Sequence, residues 1–406
     1  MLTDAGATGV PMRHATMRER NLAVLLGVIA AHQPVTRARL AALTGFTKTT
    51  VSNLIAVLAD AGLVLDGDVV HEGERGRPGI GVAVNGDGAA GLGLEVNADY
   101  LAACVLDFGW RVRYRHLVAA DNRNRSPGEI ADALSDLAAR AVDSAREQGL
   151  SVTGAFAALP GFLDRAGILH APNFGWRDVP ADQLLDLGRP GLKLKTGADN
   201  EANLAALGEL WFGAGRSLGD FLHVTGEIGI GAGIILGGKV FRGARGYAGE
   251  LGHIQVAPDG PPCACGSRGC LERVAGQEAI LREAGLGDLV AGSSAGPEES
   301  ISALVGLLEA GDPAAIAAVE HAGRLLGGAL VSAVKVLDPD AVVLGGIFSP
   351  LAPWAKPAVE EALRAGALYG VSPTVVVSPL AGDAAVLGAA GQVVERVHAD
   401  PALLLR

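Results

Sequence analysis

Apolar positions in the first sixty residues fall at helical spacing in three successive blocks. Residues 21–31, NLAVLLGVIAA, are apolar enough for a buried helix. Gln33-Pro34 ends it, because proline lacks the amide that a further turn requires. Thr36 then serves as N-cap for RARLAALTG, in which Leu40 and Leu43 face inward and Gly45 marks a turn. Thr47 is a second N-cap and opens KTTVSNLIAVLADAGLV. There Val51, Leu54, Ile55 and Leu58 recur at helical spacing and define a core face. The first turn and the opposite face carry Lys48, Thr49, Thr50, Ser52 and Asn53. Two strand-like runs, 63–65 and 80–84, bracket GDVVHEGERGRPG, with Arg75-Gly76-Arg77-Pro78 at its tip.

Beyond residue 85 the pattern changes. Residues 90–107 read strand, turn, strand, and 151–159 form another apolar strand. Residues 192–198 run into Asp199-Asn200-Glu201 and a helix, ANLAALGELWFGAG. Two glycine-punctuated strands follow in FLHVTGEIGIGAGIILGG. Late in the chain, DAVVLGGIF is a strand and DAAVLGAAGQVVERV a final helix. Strands alternate with helices, so the class is α/β, with two mixed sheets and a cleft between them.

Composition bounds what such a chain does. Its 406 residues suggest two or three domains, and 49% hydrophobic with 19% charged residues is a globular balance. The net charge of −11 is uneven. Residues 1–85 hold 8 Lys/Arg against 7 Asp/Glu, a net of +1, and the rest hold 25 against 37, a net of −12. The acidic body would be repelled by DNA, whereas the N-terminal segment is compatible with phosphate contacts. No stretch reads as a membrane span, and the N-terminus lacks the charged start and apolar core of a signal peptide, so a cytoplasmic protein is expected.

The N-terminal order is that of a winged helix-turn-helix with its third helix as reader of double-stranded operator DNA. Thr47, Lys48, Thr49, Thr50, Ser52 and Asn53 are the candidate groove contacts. Arg75 and Arg77, on a narrow extended tip, suit a minor groove. The alternative is a three-helix packing module with a solvated loop. His253, Cys263, Cys265 and Cys270 are one imidazole and three thiols, a set that suits tetrahedral Zn²⁺ with no open position, hence a structural ion. A metal-free, reduced loop is the alternative. Cys104, in an apolar strand, reads as a plain buried thiol.

Residues 248–272, AGELGHIQVAPDGPPCACGSRGCLE, resemble the signature of the ROK family of repressors, uncharacterised reading frames and sugar kinases. The 229–233 glycines, the Asn200 segment, and the GGIF and VLGAAG segments match in the same order. The resemblance covers essentially the whole chain, since the family's repressor branch also carries an N-terminal winged helix. It implies a two-lobed actin/hexokinase-like (ribonuclease H-like) fold. The DNA module would be 1–85, the first lobe 86–199 with a C-terminal helix at 382–398, and the second lobe, bearing the zinc site, 200–381.

The resemblance also implies a sugar pocket at Asn200, Glu201, Glu250, His253 and Glu272, with His253 sharing itself between zinc and a hydroxyl. Gly161 and Asn173 are weaker candidates, and Asn173 equally suits loop capping. For Glu250 and Glu272 the alternative is surface ion pairing. Glu201 stands where the family's kinases carry a catalytic Asp. The first phosphate loop, Asp-x-Gly-Gly-Thr-Lys in the family, corresponds here to Glu95-Val-Asn97-Ala98-Asp99-Tyr100. In the second, Gly-Thr-Gly becomes Glu227-Ile228-Gly229. The expectation is a sugar-responsive regulator, most simply a repressor, that binds its effector without phosphorylating it. It would act as a homodimer or a dimer of dimers on a pseudopalindromic site. A kinase with an appended DNA-binding domain, or a constitutive DNA-binding protein, are the other readings.

Overall fold

Three helices open the chain in the computed structural model, which describes residues 14–70, 79–187, 194–227, 229–289 and 297–405. Helix α1 (His14–His32) stops before Gln33-Pro34, β1 (Val35–Thr36) leads into α2 (Arg37–Thr44), and α3 (Lys48–Asp60) follows. Both caps form: the Thr36 hydroxyl accepts from the Arg39 amide at 3.2 Å, and the Thr47 hydroxyl accepts from that of Thr50 at 3.1 Å. Gly45 adopts φ 72° and closes α2 on the Ala41 carbonyl, a conformation disfavoured by any Cβ. Leu40, Val51, Leu54, Ile55 and Leu58 are buried. Leu43 is not, at 38% exposed. It lies about 60° round the helix from Leu40, beyond the narrow stripe that the short α2 covers.

Strands β2 (Val64–Val70) and β3 (Gly79–Val84) pair antiparallel, and β1 adds to the other edge of β3. Arg75 and Arg77 lie outside the described residues.

The first α/β unit contains β4 (Ala89–Val96), β5 (Tyr100–Asp107), β6 (Val112–Ala119), α4 (Pro127–Glu147) and β7 (Ser151–Leu159). A small sheet of β8 (Phe162–Leu163), β9 (Ile168–Ala171) and β10 (Trp176–Pro180) follows, then α5 (Ala181–Leu185) and β11 (Lys195–Asn200). The main sheet runs β11-β7-β4-β5-β6. Strand β4 is buried at all eight positions. It runs parallel to β7 and antiparallel to β5, and α4 and the helix at Ala384–Ala399 pack on it, so AAGLGLEV has no solvent-facing side and shows no alternation.

The second unit begins with α6 (Glu201–Phe212), β12 (Phe221–Gly226), β13 (Ile230–Leu236) and β14 (Lys239–Val240). Helices α7 (Leu271–Ala275), α8 (Gln277–Glu283), α9 (Pro297–Glu309) and α10 (Pro313–Leu337) follow, then β15 (Ala341–Gly346), α11 (Ala352–Ala365) and β16 (Thr374–Val377). Its sheet runs β14-β13-β12-β15-β16. Among the described residues α10 alone is long and apolar enough to cross a membrane. The sequence reading found no stretch of that length. Helix α10 packs on α7, α8 and α11, and it carries Glu320, His321, Arg324 and Lys335.

The last helix, α12 (Ala384–Ala399), returns to the first sheet and lies between it and α6. It also carries the N-terminal module. Leu22, Leu25, Leu26 and Val64 share one apolar cluster with Cys104 and Leu106 of β5, with Phe108 just beyond it, and with Val386, Ala390 and Val394 of α12. The winged helix is thus built onto the body through α12 and β5. Cys104 is fully buried, and burial pushes its thiol up to about 12, which leaves it unreactive at neutral pH.

Candidate functional site

The polar residues singled out beyond the N-terminal module converge on one cavity. Asn173, Asn200, Glu201, Glu250, His253 and Glu272 all line a cleft of about 90 Å³, together with Gly161. Asn200 ends β11 and caps α6, so it stands at the carboxyl end of a parallel strand, where α/β folds leave a crevice. Its carbonyl oxygen accepts from the Ala202 and Asn203 amides, and its amide donates to the Gly161 carbonyl at 2.6 Å. One amide hydrogen is left for a ligand. Glu201, the first residue of α6, lines the cavity beside it.

Glu250 and His253 sit on a tight turn pressed against β13. A Cβ on Gly249 (φ 99°) would meet the Ala232 carbonyl at 2.0 Å, and one on Gly252 would meet that of Ile230 at 2.1 Å. Glycine at both positions lets the turn lie directly on the strand. Glu272 comes from the first turn of α7. Phe162 stacks on the His253 ring with centroids 5.5 Å apart. Burial, then the nearby charges of Glu272 and Glu201, pushes the Glu250 carboxyl up to about 8. Burial also raises Glu201.

His253 faces two ways. Its Nδ1 lies 3.6 Å from the Cys263 sulfur and its Nε2 lies 4.0 Å from Glu250. Cys265 and Cys270 have sulfurs 3.7 Å apart, and all four ligand atoms of His253, Cys263, Cys265 and Cys270 fall within 4.8 Å of one another. Tetrahedral bonds of about 2.3 Å to sulfur and about 2.0 Å to nitrogen give ligand–ligand edges of about 3.5–3.8 Å. The two short edges match that spacing, and these residues could hold a metal ion.

The cavity has members that sequence reasoning assigned only to lost phosphate binding. Asn97 and Glu227 line it too. The resemblance to the family's phosphate loops had already singled out both as polar positions. Ile228 falls outside the described residues. Asn97 lies in the β4–β5 turn, closed by its amide on the Tyr100 carbonyl. The same two residues also border a second cavity of about 640 Å³, flanked by Asp99, Glu309 and Asp383. Arg123 pairs with Asp99 and Arg115 with Asp383.

At the N-terminal module, Lys48, Thr49, Ser52 and Asn53 are exposed along α3. Thr47 and Thr50 are partly committed to the cap, with hydroxyls 2.8 Å apart.

A model of the ROK family matches residues 91–395, and one of the MarR family matches 23–77. The chain belongs to the ROK family. The xylose repressor of Bacillus subtilis is 27% identical over 81% of this chain and 82% of that protein. A ROK family transcriptional regulator, a homolog of the E. coli MLC protein, superposes with a TM-score of 0.78 at 24% identity, over 96% of this chain and 98% of that one. That likeness shows a shared fold that includes the N-terminal module. A ROK family glucokinase from Streptomyces griseus, solved with glucose and AMPPNP, reaches a TM-score of 0.63 at 30% identity, over 75% of this chain and 98% of its own. The ROK expectation and the two-part fold thus hold.

Proposed function

We propose that this ROK protein is a sugar-responsive transcriptional repressor that binds double-stranded operator DNA through α3 and the β2–β3 wing. In this reading it holds a sugar in the inter-lobe cleft and does not phosphorylate it. One observation carries the reading: a pair of packed helices joins the cleft residues to the N-terminal module. Helix α6 begins in the cavity at Asn200 and Glu201 and packs along α12, and α12 shares its core with α1–α3. A sugar that favours one lobe arrangement thereby biases the orientation of the reading helix. The Bacillus xylose repressor supports the same assignment.

The divisions are 1–85 for the DNA module, 86–199 with 382–398 for the first lobe, and 200–381 for the second. The ion is Zn²⁺, held by His253, Cys263, Cys265 and Cys270. Its role is to fix the loop that carries His253 and Glu272. The protein works in the cytoplasm, and a homodimer presents two reading helices to successive major grooves. The glucokinase likeness favours a kinase as second reading. Against it stand Glu201 at the position of the proton acceptor, and carboxylates at Asp99 and Glu227 where phosphate would lie.

Thermal unfolding with a panel of hexoses, pentoses and N-acetyl sugars tests the assignment. A sugar present at 100 times its Kd adds about 2.7 kcal/mol of stability. That sugar is expected to yield no ADP from ATP. No stabilisation by any member, or steady ATP turnover, contradicts the proposal.

A further inference from the structure

The residues that spoil the phosphate loops are not turned out of the site. Asn97 and Glu227 come from opposite sheets, and the Asn97 amide donates across the cleft to the Glu227 carboxyl. Together they form the partition between the 90 Å³ cavity and the 640 Å³ cavity. Asn97 is itself held, since its carbonyl oxygen accepts from the Asp99 amide at 3.1 Å. The Glu227 backbone is pinned by a 2.8 Å bond from its amide to the Gly229 carbonyl. A fixed carboxyl that faces the same space as Asn200, Glu201 and Glu250 is placed to meet a ligand there.

The titratable side chains around this space are carboxyls and one imidazole. Glu201, Glu227, Glu250 and Glu272 line the smaller cavity, and among the described residues no Lys or Arg does. His253 turns one nitrogen to the cysteines. In the larger cavity Arg115 is paired with Asp383, and Arg123 is taken by Asp99 close by. Among the described residues a phosphate or carboxylate on a ligand would find no unpaired cation here to offset the cost of desolvating its charge. Hydroxyl groups, by contrast, both give to and accept from carboxyls and amides.

We propose that Glu227 is a specificity-determining ligand for a hydroxyl of the effector, positioned by Asn97, and that the cleft accepts a free sugar and refuses its phosphorylated form. The proposal rests on the sugar-sensor reading and deepens it. The loops that would have transferred a phosphoryl group now report its absence, so the protein senses the sugar ahead of the kinase step that consumes it. Burial, and then the charges of Glu201, Glu95 and Asp99, raises the Glu227 carboxyl well above its ordinary range. Glutamine keeps the size of this side chain together with a hydrogen-bond donor and an acceptor, so it is the closest mimic that carries no charge.

Calorimetric titration of the full chain with glucose, xylose, glucose 6-phosphate and xylose 5-phosphate tests this. The wild type is expected to bind one free sugar at least a hundredfold more tightly than its phosphate. Glu227→Ala weakens that sugar at least tenfold, Glu227→Gln stays within about threefold of wild type, and Asn97→Ala falls between them. Circular dichroism and metal content stay unchanged, which separates a ligand role from a structural one. Free-sugar binding that Glu227→Ala leaves intact overturns the proposal, as does a phosphate bound as tightly as its sugar. If neither free nor phosphorylated sugar binds wild type, the sensor reading itself fails and takes this one with it.

Discussion

Helices α6 and α12 touch through two glycines, and a single methyl group tests how much depends on that contact. A Cβ on Gly388 of α12 would lie 1.8 Å from the Leu204 carbonyl oxygen of α6 and 2.7 Å from its carbon. Gly208 is the reciprocal case, with a Cβ 2.1 Å from the Ala384 oxygen. The obstructing atoms are backbone, so no rotamer change relieves them. To restore an ordinary separation the helices must part by more than an ångström, at the upper end of the usual overpacking penalty, about 3 kcal/mol. For domains of this size that lowers Tm by about 6–12 °C. The control is Gly328→Ala in α10, exposed and with nothing within 4 Å of the new Cβ. There the same change gains about 0.5–1 kcal/mol, because alanine orders more cheaply in a helix. Differential scanning calorimetry on both variants reads the two signs. Because α6 starts with the cavity residues, Gly388→Ala also weakens sugar binding and Gly328→Ala does not. Equal Tm values for Gly388→Ala and wild type would refute the argument that this contact is tight and joins site to module.

Three further outcomes follow from individual residues. Thr47→Ala removes the cap of α3, so the module loses about 1 kcal/mol of stability and DNA affinity drops, read by denaturation and by fluorescence anisotropy; an unchanged affinity contradicts the α3 assignment. Metal analysis should return one zinc per chain, and Cys270→Ser should lower both zinc content and sugar affinity; full sugar binding by the metal-free protein would show that the ion does not hold the site. Glu95 is pushed up to about 8, chiefly by burial, and among the described residues its Oε2 has no hydrogen-bond partner. Between pH 4.5 and 8 the folded state keeps a proton that the unfolded chain releases. Stability therefore falls by about 1.4 kcal/mol per pH unit through that window. Glu95→Gln should flatten this slope, and a slope unchanged in the variant contradicts the assignment.

Much of the N-terminal module was legible because local signals agree there. The Thr36 and Thr47 caps, Gly45 and the Val51–Leu54–Ile55–Leu58 stripe each point to the same three helices. Leu43 misled because periodicity names a face but not how much of it a short helix covers. In the body, the AGELGH and Cys-rich segments carry their own geometry, since their glycines and ligands leave few ways to fold. The joint roles of Asn97 and Glu227 were not legible. They are 130 residues apart in sequence, and only the approach of the two sheets brings them to one wall. The continuity between α12 and the winged helix was hidden likewise, because an apolar helix does not say which neighbour it will cover.

The central claim is that sugar in the cleft governs DNA binding by α3. The direct test is fluorescence anisotropy of the full chain on a duplex selected for binding, titrated at fixed salt with and without the stabilising sugar. The account predicts that DNA affinity falls at least tenfold when that sugar is present, and that Gly388→Ala blunts the response. Identical DNA affinity in both conditions, with the sugar demonstrably bound, would contradict it.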